Sequence, residues 1–185
     1  ESLLVHAGRL WFLGNGRELW STDGTKAGTR KLDLPASSFR LLLSDGARLY
    51  LSDSRPALWV SDGTAAGTRK ISEEGVVGNW AAIAFAGRLF YATSYAGPLY
   101  TSDGTAAGTH PVRPDGEPRS AQRLLRFGNR LIVVTGQELW QSDGTAAGTE
   151  RIRDHVYSEA VKAGPRLFFR AWERETGTEL WAMRE

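Results

Sequence analysis

Apolar residues in this chain come in runs of three to seven, alternating with polar ones or unbroken. Each run is closed by Gly, Pro, Asn or Asp, and no stretch of ten residues follows the 3.6-residue period of an amphipathic helix. Runs of this length, rich in Leu, Val, Ile, Phe and Tyr, predict strands joined by turns, so the protein is expected to be all-β. The runs also recur. Leu58-Trp59-Val60-Ser61-Asp62-Gly63-Thr64-Ala65-Ala66-Gly67-Thr68 has near-copies whose Asp falls at Asp23, Asp103 and Asp143, giving steps of 39, 41 and 40 residues, and a fifth copy begins at Glu179-Leu180-Trp181.

Within one period the runs number four. They fall at 3–5, 9–13, 18–20 and 30–34; then 39–43, 48–51, 58–61 and 68–71; then 81–85, 88–92, 99–102 and 109–112; then 123–127, 130–134, 138–142 and 149–152. The last unit has three, at 159–163, 166–171 and 179–183. Repeats of ~40 residues with four strands each have the period of β-propeller blades, whereas helical and leucine-rich repeats need patterns absent here. The expected architecture is one all-β propeller domain over residues 1–185, with blades at about 1–35, 36–76, 77–117, 118–155 and 156–185. Each blade would have four antiparallel strands, the fifth being incomplete. The pattern leaves open whether five units form a closed ring or an arc of a longer array.

A four-stranded blade has two apolar faces and buries neither by itself, so blades must stack. Trp20, Trp59, Tyr100, Trp140 and Trp181 occupy the same place on the third strand and are expected to pack between blades; a sugar-stacking platform repeated once per blade is the rival reading. Between third and fourth strands lies [Ser/Thr]-Asp-Gly-Thr-x-Ala-Gly-Thr, too regular to be a free loop. In Asp23-Gly24, Asp62-Gly63, Asp103-Gly104 and Asp143-Gly144 the carboxylate is expected to accept backbone N–H groups further along the loop, and the glycine to adopt positive φ. Gly28, Gly67, Gly108 and Gly148 are expected to supply a second special backbone angle. One carboxylate per loop is a poor cage for calcium, which wants six to eight oxygens, so these Asp are read as turn formers and no metal is expected.

Composition adds exclusions. At 41% hydrophobic and 24% charged the chain is ordinary for a globular protein, and no apolar run approaches the ~20 residues of a membrane-spanning helix, so no membrane insertion is expected. Without an initiator Met or a leader pattern it reads as a mature product or a fragment. The net charge is +2, with Arg9, Arg48, Arg88, Arg130 and Arg166 recurring once per repeat, a spacing that favours a structural role over nucleic-acid binding. There is no Cys, no Gly-x-Ser-x-Gly, no phosphate loop and no dinucleotide fingerprint, and His6, His110 and His155 lack metal-ligand spacing. Glu173 and Glu175 alone are weak grounds for a hydrolase. No enzyme activity and no cofactor are expected.

Glu18-Leu19-Trp20-Ser21-Thr22-Asp23-Gly24-Thr25 and Glu138-Leu139-Trp140-Gln141-Ser142-Asp143-Gly144-Thr145 resemble the repeat of the ELWxxDGT family throughout. The second copy departs from it at Ala57, the third reads Pro98-Leu99-Tyr100, and the fifth stops after Trp181-Ala182-Met183. The loop is also similar to the Asp-box hairpin of sialidase-type propellers, with tighter spacing. The family resemblance implies a bacterial repeat protein, secreted or on the cell surface, with no established reaction.

In such a fold the Asp-Gly-Thr loops share one rim with the tight first turns, at Gly8, Gly46, Gly87, Gly128 and Gly164. Everything that varies between repeats falls on the other rim: 14–17, 53–57, 94–98 and 173–178, with the connectors 35–38, 73–79, 113–120 and 154–157. Loops that vary on a fixed scaffold are where recognition concentrates. There Trp80, Tyr95, Tyr157, Trp172 and Glu173 depart from the consensus and are the candidate ligand-binding residues, with His110 and His155 nearby. The expected function is a non-catalytic binding module for a protein or a cell-surface glycan; the alternative is a lectin with shallow sites between blades. The incomplete fifth blade invites self-association.

Overall fold

The computed structural model describes residues 3–15, 18–34, 38–55, 57–75, 81–94 and 96–185. They form five antiparallel sheets, each a meander in which strand order follows sequence order. Sheet I holds β1 (Leu4–His6), β2 (Arg9–Gly14), β3 (Glu18–Thr22) and β4 (Arg30–Lys31). Sheet II holds β5 (Arg40–Ser44), β6 (Leu49–Ser52), β7 (Leu58–Ser61) and β8 (Arg69–Ser72). Sheet III holds β9 (Ala82–Phe85), β10 (Arg88–Ala92), β11 (Leu99–Ser102) and β12 (His110–Pro111). Sheet IV holds β13 (Arg123–Phe127), β14 (Arg130–Val134), β15 (Glu138–Ser142) and β16 (Glu150–Asp154), and sheet V holds β17 (Val156–Ala163), β18 (Arg166–Glu173) and β19 (Gly177–Arg184).

The first turns of sheets I and III are tight because of two consecutive positive φ angles, 50° and 71° at Ala7-Gly8 and 49° and 72° at Ala86-Gly87. These are the angles of a type I′ hairpin, whose twist matches that of the flanking strands. Two of the fourth strands, β4 and β12, are only two residues long, and Pro111 in β12 cannot donate to a ladder; β8 and β16 have four and five residues.

The Asp-Gly-Thr loop is a closed hydrogen-bond circuit. Asp62 Oδ1 accepts from the Thr64 amide (2.8 Å) and the Thr64 hydroxyl (2.7 Å), and that hydroxyl accepts from the Gly67 amide (2.9 Å). The Thr68 hydroxyl donates to the Thr64 carbonyl at 2.6 Å and lies 2.7 Å from the Ser61 hydroxyl, which accepts from the Gly63 amide. The same circuit forms at Asp23, Asp103 and Asp143. Gly63 has φ 91°, as expected. The second glycine corrects the expectation: Gly28, Gly67, Gly108 and Gly148 are not in the left-handed region. They are glycines because a Cβ would stand 2.0–2.1 Å from the carboxylate of their own loop's Asp. In sheets I and III the recurring Arg ties the loop to its sheet: Arg88 donates to the Thr101 hydroxyl (2.9 Å) and to the Gly108 carbonyl (2.8 Å), and Arg9 to the Ser21 hydroxyl and the Gly28 carbonyl.

Alternation along the second and third strands gives each sheet two apolar faces, one toward the preceding sheet and one toward the next. Leu49, Leu51 and Trp59 of sheet II pack against Trp11 and Leu19 of sheet I. On the other face of sheet II, Tyr50, Leu58 and Val60 pack against Leu89 and Tyr91 of sheet III. Sheet III offers Phe90, Ala92 and Leu99 to Leu131, Val133 and Trp140. Sheet IV offers Ile132, Val134 and Leu139 to Leu167, Phe169 and Ala171. The loops add to the stack in one direction: a Cβ at Gly63 would lie 3.0 Å from Trp11 of the sheet before, and one at Gly144 would lie 3.4 Å from Phe90.

Candidate functional site

The rim opposite the Asp-Gly-Thr loops carries two open grooves. The larger, about 930 Å³, runs between the connector after β12 and the outer strands of sheet IV, lined by Arg113, Arg119, Gln137, Glu138, Trp140 and Arg151 among others. The second, about 630 Å³, lies between β16 and the β18–β19 turn, with Arg153, His155, Trp172, Glu173 and Arg174 in its wall. Arg151 lines both.

Arg151 is where it is because of the repeated Glu-Leu-Trp. Glu138 Oε2 accepts from the Trp140 indole at 2.8 Å while its other oxygen meets Arg151 of the fourth strand at 2.9 Å. Sheet I repeats the device with Glu18 between Trp20 (3.4 Å) and Lys31 (2.9 Å). In sheet II, where Ala57 replaces the Glu, Asp53 takes the Trp59 indole at 3.0 Å. Sheet V has no fourth strand, and the Trp181 indole N–H is buried with no hydrogen-bond partner; the Arg153 guanidinium lies 3.9 Å above its ring instead. The cation that supports Glu138 thus also faces the groove, and hydrogen bonding to Glu138 raises its already high pKa further, so it stays charged throughout.

Other groove residues are fixed by their neighbours. Arg113 donates to Asp115 at 2.7 Å and to the Thr149 carbonyl at 2.9 Å, fastening the connector to the loop of sheet IV. The Arg113 hydrogen bond, with the Glu117 amide second, holds the Asp115 carboxyl at about 2. Glu173 pairs with Arg153. His155, at φ 56°, stands edge-on to Trp172 with ring centroids 5.7 Å apart, and Trp172 is 43% exposed. Among the described residues no group of three or more His, Asp or Glu is placed to hold a metal ion.

Of the residues singled out in the sequence, Trp172, Glu173 and His155 come together in the second groove. Tyr157 does not line it: it lies on the outer face of sheet V, its hydroxyl 3.3 Å from Thr178 and the Arg170 guanidinium 5.1 Å above its ring. His110 is exposed on β12, bonded to the Pro111 carbonyl. Trp80 and Tyr95 lie outside the described residues. Trp59 and Trp140 are each 8% exposed and packed against the preceding sheet, which leaves little ring for a sugar to stack on. The arginines of the grooves were not singled out beforehand. Arg113 and Arg119 had a signal, basic residues in a variable connector, but Arg151 sits inside the repeat and had none.

No family profile matches the sequence, and no curated protein matches it. Solved structures do. The extracellular domain of a putative one-component system from B. thetaiotaomicron, BT4673, superposes with a TM-score of 0.63 at 12% identity, over 100% of this chain and 29% of its own. YCF48 bound to D1 peptide gives 0.62 at 10% identity, over 97% and 66%. PorZ, a bacterial surface component of the type-IX secretion system of Porphyromonas gingivalis, gives 0.59 at 12% identity, over 96% and 27%. What they share with this chain is the fold. The chain is an all-β, propeller-like stack of sheets. It spans between about a quarter and two thirds of those three chains, and enzymes, tricorn protease and puromycin hydrolase, are among the other matches. No helix is long and apolar enough to cross a membrane among the described residues.

Proposed function

We propose that this chain is a non-catalytic binding module of a secreted or surface-exposed bacterial protein of the ELWxxDGT type, and that it takes an extended, acidic polypeptide segment along the variable rim. The observation that carries the reading is that two grooves share Arg151 and hold several guanidinium groups and carboxylates in their walls, with Trp172 beside them. Arginine offers planar, paired donors that suit carboxylates; here Arg151 is held by Glu138 and Asp154 and Arg153 by Glu173, so an acidic segment would exchange with these partners, and the exposed ring of Trp172 suits an apolar side chain beside them. A peptide-bound neighbour, YCF48, and two surface or extracellular neighbours support a recognition role on this fold. Arg113, Arg119, His155 and Trp172 come from the connectors and turns where the repeats differ, the place a stacked scaffold can vary without disturbing its interfaces.

The test is binding of fluorescent acidic peptides from bacterial surface proteins, measured by anisotropy beside a glycan array. Arg151→Ala and Trp172→Ala are each expected to weaken peptide binding about tenfold or more, with affinity falling as salt is raised. Binding confined to the glycan array would favour the lectin reading instead, and peptide affinity indifferent to both substitutions would remove the grooves from consideration.

A further inference from the structure

Three of the connectors between sheets span residues 32–39, 73–81 and 112–122, and each reaches into the seam with the next sheet. Leu34 and Phe39 pack between sheets I and II. The Tyr91 hydroxyl of sheet III donates to the Glu74 carbonyl at 2.9 Å, and Arg113 donates to the Thr149 carbonyl of sheet IV, also at 2.9 Å. In the last two of these seams the apolar residue three places past the loop's closing Thr is covered, Ile71 at 5% exposure and Val112 at 4%.

The seam between sheets IV and V is built differently. Its connector is His155 alone, between the end of β16 and the start of β17. Ile152, the counterpart of Ile71 and Val112, is 38% exposed and lines the 630 Å³ groove. The facing wall is raised, since β18 runs eight residues where β10 and β14 run five. The added length brings Trp172, 43% exposed, and Glu173 to the groove, with Arg174 in the turn beyond. Glu173 is taken by Arg153, whereas Arg174 has no ion pair or hydrogen bond among the described residues. An apolar floor, an aromatic wall and an unpaired cation thus lie where other seams hold a length of the chain's own connector, and all of them come from residues 151–155 and 172–174.

We infer that the acidic segment of the proposed function lies in this seam as the connectors lie in theirs, with one large apolar side chain seated between Ile152 and Trp172 and a neighbouring carboxylate paired with Arg174. The inference rests on that reading and adds the residue that the partner must carry. The carboxylate follows from charge complementarity with Arg174. The apolar side chain follows from Ile152: a sugar laid over it would lose water from its hydroxyls without gaining partners there, whereas an aliphatic or aromatic side chain gains by the same burial.

The experiment compares two fluorescent peptides with the same acidic residues, one carrying a single central Leu and the other Ser in its place, by anisotropy. The wild type is expected to bind the Leu peptide about tenfold more tightly. In Ile152→Ser that preference is expected to fall to about twofold or less, with the Ser peptide bound as before; Ile152→Ala takes its place if a thermal melt shows Ile152→Ser to be unfolded. Arg174→Ala is expected to weaken both peptides alike, by about two- to fivefold. Equal affinity of the wild type for the two peptides overturns the inference and leaves the acidic reading standing. A Leu preference that survives substitution of Ile152 puts the apolar contact elsewhere and overturns it too. Failure of both peptides to bind removes the acidic reading and this inference together.

Discussion

At the scale of single residues, the loop glycines are constrained in two different ways. Gly63 is held by its φ, whereas Gly67 is held by the Asp62 carboxylate, 2.1 Å from where its Cβ would be. Gly67→Ala is expected to cost about 1–3 kcal/mol, since the carboxylate must leave its Thr64 donors; chemical denaturation measures it. Hydrogen bonds from Thr64, Thr105 and Thr145 lower the carboxyl pKa of Asp62, Asp103 and Asp143, and at Asp23 the Thr25 amide is the first cause. A carboxyl whose folded pKa lies below its unfolded value contributes stability above the unfolded pKa and loses it as pH falls through the folded one. Stability should therefore decline below about pH 4, in four loops together, and replacing the four Asp by Asn should flatten that decline in an acid titration followed by circular dichroism. All four are solvent-exposed and salt-screened, so each contribution is small.

At the scale of elements, Trp59→Ala is expected to cost about 3–5 kcal/mol because the ring lies between two sheets and its site cannot collapse. Trp20→Ala, at the same repeat position with no sheet in front of it, should cost less; thermal or urea unfolding of the two variants gives the comparison. This asymmetry was not legible in the sequence, where Trp20 and Trp59 stand in equal contexts. Much else was. The strands were visible because each is a short apolar run with a turn residue at either end, and β7 was placed to the residue. Of the fourth strands, β4 and β12 came out shorter than their apolar runs suggested, and in sheet I Leu32 bonds Leu19 beyond the end of β4 while Leu34 serves the core instead of the ladder; β8 kept its expected length and β16 gained a residue. Sheet V came out longer because its three strands are the full eight residues, extended by Val156 and Trp172-Glu173 which look like loop in sequence. Half of the second groove was foreseen through Trp172 and Glu173; the larger groove was not, because its key cation, Arg151, looks like any fourth-strand residue until Glu138 is seen to hold it.

At the scale of the whole molecule, stability in a stack of this kind sums over sheets and neighbouring interfaces. Hydrogen exchange should then grade along the chain, with the slowest amides in sheets II, III and IV, covered on both faces, and faster exchange in β1, β2 and β17 to β19.

The one-way docking of the loops has a consequence for how the chain comes to be made. Gly63 meets Trp11 and Gly144 meets Phe90, so each new loop settles on a hairpin synthesised before it. Emerging from the ribosome in order, sheets II, III and IV each find the sheet that their loop docks on already in place. The growing end is always the unfinished one, its apolar face bare until the next sheet arrives.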